Sequence, residues 1–180
     1  MASHVLFIGG RSGVGKTTTA LALHDLLVKA DVPHAVIEGD YLGLAHPAPH
    51  LAFPDADLTE QNLATMWTNY RALGYRRLVY TNTVAVLTVA ALTAAMGDDP
   101  VVTTVLLRSS DTSARARLEA RALGPVATSL LQDSATTARR LDEAAPANVH
   151  RMNTDGVEPQ RVAEQLLTLT GWASDGERAR

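Results

Sequence analysis

Short apolar runs alternate along this chain with longer stretches whose apolar residues recur at helical spacing. Val5 to Ile8 is a continuous apolar run leading into glycines, the pattern of a strand buried on both faces. Thr17 to Ala30 carries Leu21, Ala22, Leu26 and Leu27 at helical intervals, and Ala35 to Ile37 predicts a second strand that ends at Glu38, Gly39 and Asp40. Leu58 to Leu73 predicts a helix with Leu63, Met66, Trp67 and Tyr70 on one face and Gly74 as its C′ residue; the spacing of Trp67 and Tyr70 fits core packing. Leu78 to Tyr80 and Val84 to Met96 give a third strand and helix. Val101 to Leu107, rich in β-branched residues, gives a fourth strand. Asn148 to Met152 is a weaker fifth strand, followed by a helix from Glu158 to Leu169 with Pro159 in its first turn.

Buried strands separated by helices and joined by right-handed crossovers predict an α/β fold, a five-stranded parallel sheet covered on both faces. Ligands of such a sheet gather at the carboxyl edge of the strands. That edge collects the loops at Gly9 to Gly15, Glu38 to Tyr41, Thr81 to Thr83, Arg108 to Asp111 and Asn153 to Gly156. The strand ending at Asp40 is expected beside the one feeding the glycines. Residues 115–145 are too long for a plain helix-to-strand connection and carry Arg115, Arg117, Arg121, Arg139 and Arg140, which marks them as a lid. The expected organisation is one domain over residues 1–172 with a polar tail at 173–180.

Composition narrows the function classes. Apolar residues make up 46% and charged residues 19% of the 180 positions, and the start lacks a basic segment, so the chain reads as cytoplasmic with no membrane span. Cysteine is absent, which excludes disulfides, a thiolate nucleophile and Cys-ligated zinc. A net charge of -3 argues against a nucleic-acid surface. Of 16 basic residues only Lys16 and Lys29 are lysine, and Lys16 falls where a compact point charge is wanted.

That position lies in the segment Gly10, Arg11, Ser12, Gly13, Val14, Gly15, Lys16, Thr17, which matches G-x-x-x-x-G-K-[ST] in full, between a predicted strand and a predicted helix. Its glycines let backbone amides wrap an anion, and the following helix adds the positive end of its dipole. The segment, extended by Thr18, is expected to bind the phosphates of ATP. Lys16, solvent-facing in the loop, would reach the β- and γ-phosphates, and Thr17 would ligate Mg²⁺. Asp40 is placed to accept a proton from an acceptor hydroxyl or to hold Mg²⁺ through water. Arg117 and Arg121, four apart on one helical face, suit a clamp on a transferring phosphoryl group; a solvated face paired with nearby carboxylates is the alternative. Asn82 stands where many NTPases carry an aspartate, which disfavours water-activating ATPase chemistry. His46 and His50 without a further ligand make a poor metal site.

With these motifs the sequence resembles the P-loop small-molecule kinases of the adenylate kinase-like group, which include adenylylsulfate kinases, gluconate kinases and the chloramphenicol phosphotransferase type. The loop from Gly10 to Thr17 matches theirs, Gly39 and Asp40 match the last two positions of an Asp-Gly-Asp motif, and Arg117 to Arg121 resembles the Arg-x-x-x-Arg that opens their lid. The resemblance implies a three-layer P-loop NTPase fold, an arginine packed on adenine, and a base-side loop containing Asp155. The implied protein is an ATP- and Mg²⁺-dependent phosphotransferase acting on a hydroxyl or phosphate of a small-molecule acceptor, as a monomer or homodimer. Catalysis would fall to Lys16, Asp40 and Arg121. A nucleoside monophosphate kinase would need arginines in the acceptor region, where only Arg71 stands between Lys29 and Arg76. The rival class is a nucleotide-binding ATPase or switch acting through a protein partner, although neither Asn-Lys-x-Asp nor an apolar run ending in Asp-Glu occurs.

Overall fold

A computed structural model describes residues 2–53, 55–121 and 126–173, and the side chains of all of these except 50 and 121–132. The strands are β1 (His4–Gly9), β2 (Ala35–Glu38), β3 (Arg77–Thr81), β4 (Val101–Arg108) and β5 (His150–Asn153). Helices are α1 (Lys16–Lys29), the single turn α2 (Pro49–Ala52), α3 (Leu58–Ala72), α4 (Val89–Met96), α5 (Asp111–Arg121), α6 (Val126–Ala144) and α7 (Pro159–Thr170). The expected helix from Val84 is interrupted: a 3₁₀ turn at Ala85–Leu87 precedes α4. The stretch expected to form a lid contains most of α5 and all of α6, and of the tail only residue 173 is described. Among the described residues no helix is long and apolar enough to cross a membrane.

All five strands are parallel, in the order β2-β3-β1-β4-β5. The expectation that β2 lies beside β1 is therefore corrected, because the crossover through α1 skips a position that β3 later fills. Alternation along the strands sends Leu6, Ile8, Val79, Val105 and Leu107 to one face, under α1 and α7. Val5, Phe7, Leu78 and Tyr80 face the other way, onto Leu63 and Trp67 of α3 and Leu92 and Met96 of α4. Leu106 extends that second layer onto Leu141 of α6. The result is three layers, α/β/α, and Trp67 is fully buried as its spacing implied.

One polar pair joins two elements of the first layer. His34 Nδ1 lies 2.7 Å from the carbonyl of Val32, so that nitrogen carries the proton and donates it. His34 Nε2 then accepts from His24 Nδ1 at 2.8 Å. Burial holds His34 below its ordinary value, opposed by the Val32 carbonyl and assisted by the charges of His24 and Arg77. The unfolded chain thus binds this proton more tightly than the folded one, so His34 contributes stability above the unfolded value and withdraws it as pH falls below. We expect the melting temperature to decline between pH 7.5 and 5.5 in the parent and more shallowly in His34→Gln; equal slopes would remove His34 from the explanation.

Candidate active site

The loop between β1 and α1 is shaped by donors that pull its carbonyls outward. Lys16 Nζ donates to the carbonyl of Gly10 at 3.0 Å, and Ser134 Oγ of α6 donates to that of Ser12 at 2.8 Å. Arg117 of α5 donates from one guanidinium nitrogen to the carbonyls of Gly13 and Val14, at 3.4 and 3.2 Å. The hydroxyl of Thr154 reaches Val14 as well, at 3.0 Å. In a trans peptide the amide points opposite to the carbonyl before it, so the Gly13 amide is turned away from Ser134 and the Gly15 amide away from the guanidinium, while the Val14 amide donates to the carbonyl of Arg11 at 3.3 Å. At Gly13, with φ at +82°, an added Cβ would stand 2.7 Å from the carbonyl of Ala114 on α5. Glycine is thus what lets α5 close on the back of the loop.

Arg11 locks the same face. It is buried, donates through Nε to Ser134 at 2.8 Å, and pairs through its terminal nitrogen with Asp111 at the start of α5. This hydrogen bond and the arginine charge, joined by the charges of Arg139 and Arg115, hold the exposed Asp111 carboxyl below its usual range. The sequence placed Arg11 among nucleotide ligands; its guanidinium works here as a brace between the loop, α5 and α6.

At the carboxyl edge, Gly39–Tyr41 forms a 3₁₀ turn directly after β2. That turn passes so close over Tyr80 of β3 that a Cβ on Gly39 would stand 2.2 Å from the phenol oxygen. The crossing carries Asp40 over the end of β3. Its Oδ1 accepts the amide of Thr83 at 2.8 Å, its Oδ2 accepts the Thr83 hydroxyl at 3.2 Å, and Lys16 Nζ lies 3.4 Å from Oδ2. Lys16, expected to face solvent, is only 8% exposed, since it bridges the Gly10 carbonyl, Thr83 and Asp40. Thr17 donates to Glu38 Oε2 at 2.5 Å, while Glu38 Oε1 is buried without a hydrogen-bond partner. The carboxylate beside Thr17 is therefore Glu38, and Asp40 is directed to Lys16 and Thr83. The phenol of Tyr80 is pushed above its ordinary value, first by burial and then by the charges of Asp40, Glu60 and Glu38.

Two cavities flank the loop. One of about 430 Å³ is lined by Val14, Thr18, Arg117, Thr154, Val157 and Pro159 among others, and lies over the start of α1. The other, about 490 Å³, lies between the ends of β4 and β5 and α6 and includes Arg11, Arg108 and Asp155. Asp155, expected on the base side, lines this second cavity and accepts the amide of Ser110, the N-cap of α5, at 2.8 Å. Burial raises the Asp155 carboxyl, but the Ser110 amide, the hydroxyls of Ser113 and Ser110 and the charge of Arg117 outweigh it and leave it lowered. Arg117 adds 3.0 and 2.8 Å bonds to the hydroxyl and carbonyl of Thr154, so its head is committed to bracing while it lines the first cavity. The side chain of Arg121 lies outside the described residues. Asn82 caps the turn after β3, accepting the amide of Val84 at 2.9 Å.

No protein-family model and no curated relative matches the sequence. Solved structures do. Shikimate kinase from Bacteroides thetaiotaomicron superposes with a TM-score of 0.61 at 17% identity, covering 93% of this chain and 98% of its own. The tunicamycin resistance protein of Deinococcus radiodurans gives 0.59 at 21% identity, with 94% and 96% covered. The Mycobacterium tuberculosis APS kinase CysC, solved with AMPPNP and APS, gives 0.57 at 18% identity, with 93% and 97% covered. This chain has the fold of the P-loop small-molecule kinases. Within that kinase fold, sequence reasoning singled out the loop, Thr17 and Asp40; it placed the loops holding Thr83 and Thr154 at the same edge without a role for either residue, and it named neither Ser134 nor a role for Glu38. Each of these meets the loop or its lysine from a distant part of the chain, and only the loop's own motif is contiguous.

Removing the brace tests the loop. Arg117→Met keeps length but strips the donors from the Gly13, Val14 and Thr154 carbonyls, at roughly 1–3 kcal/mol for a buried unsatisfied group. For a chain of this size each kcal/mol lowers the melting temperature by about 2–4 °C. AMPPNP affinity should fall in parallel, and Arg117→Lys should restore little of either because a point charge cannot span the three residues. Parental melting and affinity in Arg117→Met would show that the loop holds its shape unaided.

Proposed function

We propose that the chain is an ATP- and Mg²⁺-dependent phosphotransferase that moves the terminal phosphoryl group to a hydroxyl of a small molecule. The observation that carries this reading is the placement of Asp40, oriented by both polar groups of Thr83 and 3.4 Å from the phosphate-loop lysine. A carboxylate fixed there, with one flank open to solvent, is positioned for an acceptor hydroxyl rather than for the fold. The kinase names of the structural neighbours support the class.

The loop amides turned away from Arg117, together with Lys16 and the amino end of α1, take the phosphates. The cavity of about 430 Å³ beside Arg117 takes the base. Thr17 and Glu38 fit a hard divalent cation: two oxygens already meet at 2.5 Å, and the second Glu38 oxygen is buried with no partner. Bound there, Mg²⁺ would offset charge on the β- and γ-phosphates. Asp40 takes the proton of the acceptor hydroxyl as that oxygen bonds to the γ-phosphorus; the bond to the β-phosphate oxygen breaks and ADP leaves. Arg121, the last residue of α5, is the arginine we assign to the developing charge, and residues 115–145 are its lid. We read the chain as a cytoplasmic single-domain enzyme, monomeric or homodimeric.

Lys16→Ala should bring acceptor-dependent ADP release to near background. Because Lys16 is buried against Asp40, the variant should also melt earlier while keeping its circular dichroism. Parental turnover would end the phosphotransferase reading. Two further variants separate the carboxylates. Asp40→Asn should lower turnover by about a hundredfold or more with little change in ATP affinity. Glu38→Gln should raise the Mg²⁺ requirement and recover part of its rate when Mg²⁺ is added. If Mg²⁺ rescues Asp40→Asn instead, the metal lies with Asp40 and the assignment to Glu38 is lost.

A further inference from the structure

The chain on the acceptor side of Asp40 has an unusual composition. Residues 30–70 contain no lysine or arginine, against the six carboxylates Asp31, Glu38, Asp40, Asp55, Asp57 and Glu60. Within that stretch, residues 41–54 carry no charged side chain of either sign, and His46 and His50 are their only titratable groups besides Tyr41. This neutral segment exposes large apolar groups: Tyr41 is 69% exposed, Leu44 72%, Leu51 77% and Phe53 65%. Apolar side chains scattered singly over a surface need no explanation, whereas four within thirteen positions next to a catalytic carboxylate do.

Geometry ties the segment to the site. Tyr41 shares the 3₁₀ turn with Asp40, and the next turn is fixed to α3 by the Asn62 amide, which donates to the carbonyl of Leu42 at 2.6 Å. Between this segment and the start of α3 lies a cavity of about 180 Å³ lined by Gly43, Pro49, Phe53 and Leu58 together with the polar residues Asp57, Thr59 and Glu60. In size alone this matches one aromatic ring, since a cavity of roughly 150 Å³ holds benzene. Glu60 lines the cavity, and its charge joins those of Asp40 and Glu38 in raising the Tyr80 phenol. Gly43, three residues after Asp40, brings the lining of this cavity close along the chain to the turn that carries the carboxylate.

We infer that the acceptor is an uncharged alcohol with an aromatic or branched apolar body, seated against residues 41–53 so that its hydroxyl meets Asp40; this rests on the phosphotransferase reading. Anionic acceptors are disfavoured because Glu38 and Asp40 repel them, and Lys16, the cation paired with Asp40 among the described residues, is engaged by that carboxylate and the phosphates. Sugar acids, carboxylates and phosphate esters would need an arginine pair that residues 30–70 do not supply. Against a cationic acceptor, the exposed side chains Tyr41, Leu44, Leu51 and Phe53 offer an ammonium no partner, and covering it with them is costly.

The test compares three benzyl alcohols that share ring and hydroxyl: neutral 4-isopropylbenzyl alcohol, anionic 4-(hydroxymethyl)benzoate and cationic 4-(aminomethyl)benzyl alcohol. Each is titrated calorimetrically into the full chain saturated with Mg²⁺ and AMPPNP, and each is then offered with ATP while ADP is measured. The neutral probe should bind about tenfold tighter or more than either charged one. Leu51→Ser and Phe53→Ser, both at exposed positions, should each weaken it several-fold while AMPPNP affinity holds. A charged probe that binds as tightly as the neutral one overturns the inference, as does failure of the neutral probe to bind. If the neutral probe binds tightest but is never phosphorylated, the surface assignment stands and the phosphotransferase reading fails. If only the anion is phosphorylated, the enzyme class stands and the inference fails. Should the serine variants dissociate a dimer in sedimentation and leave probe binding untouched, the apolar segment is a contact between two copies and the inference is overturned.

Discussion

Everything in this site depends on keeping the phosphate-loop carbonyls pointed away from the ligand side. Left alone, a glycine-rich loop samples many conformations, and the entropy of fixing each residue costs about 1–2 kcal/mol. Here the cost is offset by donors aimed at the back of the loop: Ser134 at Ser12, Arg117 at Gly13 and Val14, and Thr154 at Val14. Those contacts couple the loop to α5, α6 and the turn after β5. Arg11, buried between Ser134 and Asp111, ties the same pieces together from the other end. An anion site made of backbone amides is thus preorganised by side chains that need not touch the anion.

The same sheet divides the site electrostatically. On the β4 and β5 side, Arg11, Arg108, Arg117 and Arg151 crowd the carboxyl edge, though each is engaged: Arg108 makes a two-point contact with Asp142 at 2.9 and 3.1 Å, and Arg151 donates to the carbonyl of Ala145 at 2.9 Å. On the β2 side stand the carboxylates Glu38 and Asp40, and among the described residues Lys16 is the cation that pairs with Asp40. A triphosphate entering from the arginine side and an uncharged alcohol entering from the carboxylate side would each meet the field that suits it.

The local and contiguous parts of this arrangement were legible in the sequence. The phosphate loop is one run of eight residues whose glycines have direct backbone reasons, and the buried strands announce themselves as unbroken apolar runs. The α/β class, the three layers and the burial of Trp67 followed from periodicity alone. Strand order did not, because periodicity carries no information about which strand fills the gap left by a crossover, and β3 took the place expected for β2. Nor did the burial of Lys16, which depends on Thr83 and Asp40, sixty-seven and twenty-four positions away along the chain. Arg117 and Asp155 were noticed for their charge and position in a resemblance. Their observed partners are backbone groups and hydroxyls from other segments, which sequence does not bring together. Glu38 was overshadowed by Asp40 two residues later, and only the 2.5 Å contact with Thr17 sets the two apart.

The central claim is that the amides of this loop face a bound phosphate chain. It is tested most directly by following backbone amide resonances of ¹⁵N-labelled protein during titration with Mg²⁺ and AMPPNP. The predicted result is that Gly13, Gly15, Lys16 and Thr17 shift furthest and saturate together, with smaller changes at Thr83 and Thr154. Saturable binding that leaves the Gly13 and Gly15 amides unmoved would contradict it.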